Sequence, residues 1–433
     1  MTRNLVAQQA SLFPAEVELP RTDTTSTFAD NVYLPIHRWF RYSAGFSALW
    51  ARELIEKEKA RGRATVLDPF AGSGTVLLEG ERCDVETVGV EAHPFVARVA
   101  LAKLCWREPP RAFREYALAV LARAKGQGGD AQGYARLTLK CFPPAVLSRL
   151  DSLRRAWEAA ADGSPASELT WLALTSILRE CSPVGTAQWQ YVLPNKAKAR
   201  STDPYEAFEA KVYLMSGDMS RRQHDCPGPQ ARLHREDARE CASLPDAWAD
   251  LVITSPPYAN NYDYADATRL ELTFWGEVDG WGDLQGAVRQ YLVRSCTQHV
   301  ATMIGETYEL TDQPLLAPIR EEIIDVCTRL EGEREKHGGK KPYHTMIAAY
   351  FSDLARVWVA LRRVTADGGR VCFVVGDSAP YGIYVPVDRW LGELAIAAGF
   401  NAYSFEKTRD RNVKWRNRKH RVPLHEGRLW VEG

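Results

Sequence analysis

Ala64-Thr-Val-Leu-Asp68-Pro69-Phe70-Ala71-Gly72-Ser73-Gly74-Thr75 is the stretch that decides the fold. Its first five residues make a short run of buried-strand type. Two glycines then allow a tight turn and a close backbone approach to a ligand. Val76-Leu-Leu-Glu-Gly-Glu-Arg82 reads as the helix beyond. Strand, Gly-x-Gly turn and helix predict a nucleotide-type site at the carboxyl end of a parallel strand. A second strand is predicted over Glu86–Val90. It ends in Glu91, about where an acid clasps ribose hydroxyls in doubly wound α/β folds. No Gly-Lys-Ser/Thr follows the turn, so it is not a phosphate-binding P-loop, and the third glycine of a dinucleotide fingerprint is absent.

A second corner lies far down the chain. Ala249-Asp-Leu-Val-Ile253 is another buried-strand run and leads into Thr254-Ser255-Pro256-Pro257-Tyr258. Each proline removes a backbone donor and holds the residue before it extended. The strand therefore ends in a rigid corner of acceptors, the Ser255 hydroxyl and the carbonyls around Pro256, with the flat face of Tyr258 beside them. Such a corner suits a planar ring bearing an exocyclic amine. The ring stacks, and the two N–H bonds point at acceptors that free the nitrogen lone pair. Taken alone, the five residues also read as a plain strand-ending turn.

Together, Asp68–Thr75 and Thr254–Tyr258 resemble the S-adenosylmethionine-dependent amino-methyltransferases of DNA, which methylate cytosine N4 or adenine N6. The resemblance extends to Trp39–Ser47, similar to a cofactor-side segment ahead of the glycine loop in some members, and to His234-Arg-Glu-Asp-Ala-Arg239. It implies a doubly wound, Rossmann-like methyltransferase core. It implies S-adenosyl-L-methionine held by Asp68, Pro69, Phe70, Ala71, Gly72, Ser73, Gly74 and Thr75. Glu91 would take its ribose and Asp237 its adenine, with Thr254 and Phe46 nearby. Ser255, Pro256, Pro257 and Tyr258 would be the catalytic corner, acting on a base flipped out of double-stranded DNA. Asn260, Asn261 and Tyr262 follow the corner and are placed to line the base pocket. Ser at position 255 is commoner among cytosine-N4 enzymes, so the resemblance implies cytosine N4. Adenine N6, guanine N2 of tRNA and a nucleic-acid-binding module without catalysis are the alternatives. A cognate restriction endonuclease is left open as a partner.

The chain has 433 residues, 45% hydrophobic and 25% charged, with zero formal net charge. That composition is ordinary for a globular protein. No apolar run is long enough for a membrane span, and Met1–Pro20 lacks a signal pattern, so the expected location is cytoplasmic. The nine cysteines include no C-x-x-C pair, and the histidines lack ligand spacing, so no metal is expected.

Around the two motifs the chain divides into an N-terminal arm (1–30), a cofactor-binding half (31–100), a helical insertion (101–205), a catalytic half (206–279), a second helical insertion (280–341) and a closing segment (342–433). Ser47 is expected to cap a helix reaching about Lys59. The aromatics of 35–47 read either as core or as a pocket wall. The cations at the end of the first insertion read either as a phosphate contact or as a solvated charge run, and the second insertion reads either as target recognition or as a helical brace. Asn195–Arg200 is a loop with three cations, and Arg289, Tyr291 and Arg294 are candidates for target recognition. Lys407–Arg421 holds eight Lys/Arg against one acid, Asp410, and includes Lys414, Arg416, Arg418 and Lys419. It is the best candidate for the DNA backbone, with a solvated basic hairpin tip as the alternative.

Overall fold

The structure, a computed structural model, describes residues 28–42, 45–187, 190–198, 200–225, 228–260, 262–411 and 422–433. Nine strands are formed among these residues: β1 (Thr65–Asp68), β2 (Glu86–Val90), β3 (Val184–Thr186), β4 (Val192–Ala197), β5 (Arg232–His234), β6 (Ala249–Thr254), β7 (Thr365–Gly376), β8 (Ala402–Arg411) and β9 (Leu424–Glu432). Seven of them make one sheet in the order β5-β2-β1-β6-β7-β9-β8. The five from β5 to β7 are parallel, whereas β9 runs antiparallel to both β7 and β8. From β1 the chain steps outward through β2 to β5, then returns to β6 on the other side and steps outward again. The strand order therefore reverses between β1 and β6, which is where open α/β sheets bind ligands.

Both faces of this sheet are covered, which is why its central strands read as nearly continuous apolar runs. Val66, Leu251, Ile253, Cys372 and Val374 pack with Trp50, Ala51, Leu54 and Ile55 of the helix Ala48–Lys59. Their neighbours Leu67, Val252, Val371, Phe373 and Val375 pack in a different cluster, with the helix Tyr343–Val364. That helix buries Ile347, Tyr350, Phe351, Leu354, Trp358 and Leu361. Each large apolar side chain so buried contributes roughly 1.5–3 kcal/mol. Ser47 caps the first helix as expected, its Oγ accepting from Trp50 N at 3.3 Å. Gly399, at φ +103°, stands just past the helix Val387–Ala397, the left-handed position at which such a helix stops.

The first insertion is helical, with Pro110–Gln127, Pro144–Glu158 and Pro165–Cys181 sharing one apolar cluster. The helix Pro204–Asp225 adds Phe208, Val212, Met215 and Met219 to it, and the same cluster takes in Trp39, Leu77, Leu270 and Phe274, so the packing crosses the expected boundary at residue 205. Asn195–Arg200 is not simply a loop: Val192–Ala197 is β4, paired with β3 in a small antiparallel sheet. Val184, Thr186 and Val192 suit an extended backbone. Lys198 donates to the Arg179 and Glu180 carbonyls at the end of a helix. In the second insertion, Arg320–Lys336 buries Ile323, Val326, Cys327 and Leu330 in the cluster of Tyr343–Val364 and so braces it. Among the described residues no helix is long and apolar enough to cross a membrane.

Candidate active site

The two sequence motifs meet at the reversal point of the sheet. β1 and β6 lie side by side, with Leu67 opposite Val252. At their carboxyl ends the Thr254 hydroxyl donates to Asp68 Oδ1 at 2.6 Å. Both residues are buried, Asp68 to 1% exposure. Asp68 Oδ1 also accepts from Phe70 N, which turns the chain out of β1. Ala71 N donates to the Val90 carbonyl, stitching the loop over the end of β2. Gly72 and Gly74 adopt φ +54° and +87°, a region costly for residues with a Cβ. Gly74 then caps the helix Thr75–Arg82. The result is a shelf on which Gly72, Ser73 and Thr75 remain partly exposed while Pro69 and Ala71 are buried.

Glu91 stands beside the shelf. Its two carboxylate oxygens accept from Gly72 N at 2.7 Å and from His93 N at 2.8 Å. Burial pushes the carboxyls of both Asp68 and Glu91 up to about 7, against the donors that hold them down. The folded chain therefore binds more protons than the unfolded chain between their ordinary values and about 7. Their stabilising contribution is greatest at acid pH and is lost as pH rises toward about 7. Glu91→Gln removes its share of this dependence. The melting temperature of that variant relative to the parent should climb from about pH 4.5 to about pH 7 and level off above. A constant offset across the titration would contradict a raised Glu91.

The Ser-Pro-Pro-Tyr corner leaves Ser255, Pro257 and Tyr258 partly exposed and Pro256 buried. Ser255 Oγ donates to the Val374 carbonyl of β7 at 3.1 Å. Because a carbonyl only accepts, the hydroxyl proton is committed there; the Tyr258 hydroxyl lies within hydrogen-bonding reach of Ser255, and a remaining lone pair is left for another donor. The backbone beyond is pinned by Asn260, at φ +56°, whose N–H donates to the Ser295 carbonyl. Tyr262 is buried and stacks on Tyr264 at 4.3 Å between ring centroids.

Other sequence candidates lie elsewhere or are already engaged. Phe46 is buried edge-on to Trp50, in the cluster beneath the sheet. Asp237 lies beyond the end of β5, and its carboxylate is held by the backbone and guanidinium of Arg239. Arg289 is 3% exposed and paired with Asp263. Arg294 is paired with Asp353. Each guanidinium neutralises a buried carboxylate; Arg289 is itself buried, whereas Arg294 stays partly exposed. Tyr291 is exposed. Asn261, Lys414, Arg416, Arg418 and Lys419 lie outside the described residues.

The structure also adds a group that the sequence did not mark. Lys103 is buried near the shelf, and burial brings its ammonium down to about 7. It lines a cavity of about 20 Å³ together with Ser73, Thr75, His37 and Tyr42. A lone lysine in an apolar helix carried no local signal of this.

No protein-family model matches the chain. Its similarity is to individual proteins. Over 402 residues it is 26% identical to the type II methyltransferase M.AvaI of Nostoc sp., across 87% of this chain and 81% of that protein, with the same figures for M.AvaI of Anabaena variabilis. Over 415 residues it is 26% identical to the type II methyltransferase M.BsoBI of Geobacillus stearothermophilus, across 84% of this chain and 78% of that protein. This chain is similar to type II methyltransferases. The similarity covers most of the chain.

Proposed function

We propose that the protein is a site-specific DNA methyltransferase acting on the exocyclic amine of a flipped base, with cytosine N4 as the target. The observation that carries this reading is the hydrogen bond from Thr254 to Asp68, which sets an acceptor corner beside a glycine shelf in one crevice. The named type II methyltransferase relatives support the reaction class. The sheet order and its two covered faces support a doubly wound, Rossmann-like core. In this reading residues 31–100, 206–279 and 342–433 form the core, 101–205 and 280–341 are insertions, and 1–30 is an arm.

The residues present fit S-adenosyl-L-methionine. Gly72 puts no side chain on the shelf, Glu91 offers a carboxylate for ribose hydroxyls, and Asp237, held by Arg239, lies beyond the neighbouring strand on the side proposed for the adenine. When bound, the cofactor supplies a methyl group already activated by its sulfonium. The protein supplies position. A base inside a duplex cannot reach the crevice, so the target leaves the stack. Tyr258 stacks on it, and Ser255 Oγ and the Pro256 carbonyl accept its two amine hydrogens. This would aim the nitrogen lone pair at the methyl group that the bound cofactor would supply. The methylated nitrogen then gives one proton to water. Such alignment is worth several kcal/mol of barrier, up to about 7–11 in well-oriented systems.

The resemblance of the Ser-Pro-Pro-Tyr corner to cytosine-N4 enzymes supports the cytosine-N4 assignment over adenine N6. Nucleoside mass spectrometry of DNA from cells expressing the protein should show N4-methylcytosine. N6-methyladenine in its place would overturn the base assignment, and unmodified DNA would overturn the function. Lys414, Arg416, Arg418 and Lys419 are proposed to meet the phosphate backbone. Replacing all four with Gln should flatten the salt dependence of DNA binding, lowering the log–log slope by up to about 0.9 for each phosphate no longer neutralised. A cytoplasmic location and a cognate restriction endonuclease complete the proposal.

A further inference from the structure

Tyr258 does not stand alone at the corner. The guanidinium carbon of Arg411 lies 5.2 Å from its ring centroid. Arg411 ends β8, opposite Leu424 of β9, and reaches back across the sheet toward the end of β7. Its Nη1 donates to the Asp377 carbonyl at 2.7 Å. The side chain passes over Gly376, where a Cβ would come within 2.6 Å of Nη1 and 3.0 Å of Cδ. The guanidinium is therefore fixed by a carbonyl, by the backbone of a glycine and by the face of Tyr258.

We infer that Arg411 is a positioning residue that braces one face of Tyr258 so that the other face receives the flipped base. This inference rests on the stacking role proposed for Tyr258. The physical need is plain. Tyr258 follows two prolines on a loop, and its ring turns about two side-chain torsions. A base stacks well only on a ring whose plane is held. An arginine is suited to hold it, because its flat fork stacks on an aromatic face while its edge still hydrogen-bonds in plane. The alternative use of such an arrangement is a plug, an arginine filling the base seat until DNA displaces it. The tether to Asp377 and the close fit over Gly376 favour a fixed brace over a moving plug.

Single-turnover transfer of a tritiated methyl group to unmodified DNA tests this in the full-length chain. Arg411→Ala should lower the rate roughly 5–30-fold, the scale of one cation–π interaction at a desolvated ring. S-adenosylmethionine affinity, measured by calorimetry, should stay within about twofold of the parent on the same grounds. Arg411→Lys should recover part of the rate, because an ammonium can sit over the ring but lacks the flat fork. Gly376→Ala, which pushes the guanidinium away without removing it, should reproduce the alanine defect. Unchanged or faster transfer in both Arg411→Ala and Gly376→Ala would overturn the brace, and faster transfer would identify a plug. A parent chain that transfers nothing to DNA would sink the proposed function, whereas an active parent with unaffected variants would sink the brace alone.

Discussion

Gly72→Val is expected to abolish S-adenosylmethionine binding while leaving a folded chain. Gly72 sits at φ +54° with its N–H committed to Glu91 at 2.7 Å. A β-branched residue at positive φ is a genuine outlier, and the left-handed region costs an ordinary residue about 1–2 kcal/mol. That strain is small beside the second effect. The valine side chain would stand on a shelf whose use depends on having none. Affinity should fall by about two orders of magnitude or more, equivalent to about 2.7 kcal/mol. Gly72→Ala separates the contributions, since it carries the backbone cost with a single methyl group. Calorimetric titration of parent and both variants provides the measurement. Valine with near-parental affinity would mean that the cofactor does not lie over Gly72.

Ser255→Ala is expected to slow methyl transfer about 10–100-fold with cofactor affinity nearly unchanged, a barrier increase of about 1.4–2.7 kcal/mol. Its hydroxyl is an acceptor made available by donation to Val374. Alanine removes the acceptor and leaves the strand ends in place, because Thr254 and Asp68 still hold them together. Ser255→Asp is the sharper variant. An ionised aspartate accepts from the amine but cannot donate to the Val374 carbonyl, which it faces instead with negative charge. It should therefore fall short of the serine rate on the native target base. A parallel loss of cofactor affinity in Ser255→Ala would refute a role confined to the amine.

These expectations rest on local stretches that could be read directly. Asp68–Thr75 was legible because a strand, two glycines and a helix follow one another within reach of a single turn. The cap at Ser47 was legible for the same reason. The basic and acidic side chains of the insertions were not. Arg289 and Arg294 looked available for DNA, yet each is consumed by a carboxylate, Asp263 or Asp353, that lies well away in sequence. A long charged side chain carries no local mark of its partner. Asn195–Arg200 read as a loop with three cations, whereas part of it is a strand and Lys198 serves a helix end.

From its sequence alone the chain determined two rigid corners, one lined with glycine and the other stiffened by proline, because backbone sterics act between neighbouring residues. Only the tertiary structure decided that the corners face each other, since that depends on the strand order placing β6 beside β1. The same holds for Arg411 behind Tyr258 and Lys103 near the shelf. Contacts of this kind arise when distant segments pack on one sheet, and pairing across a sheet is set by the whole core rather than by any stretch within it.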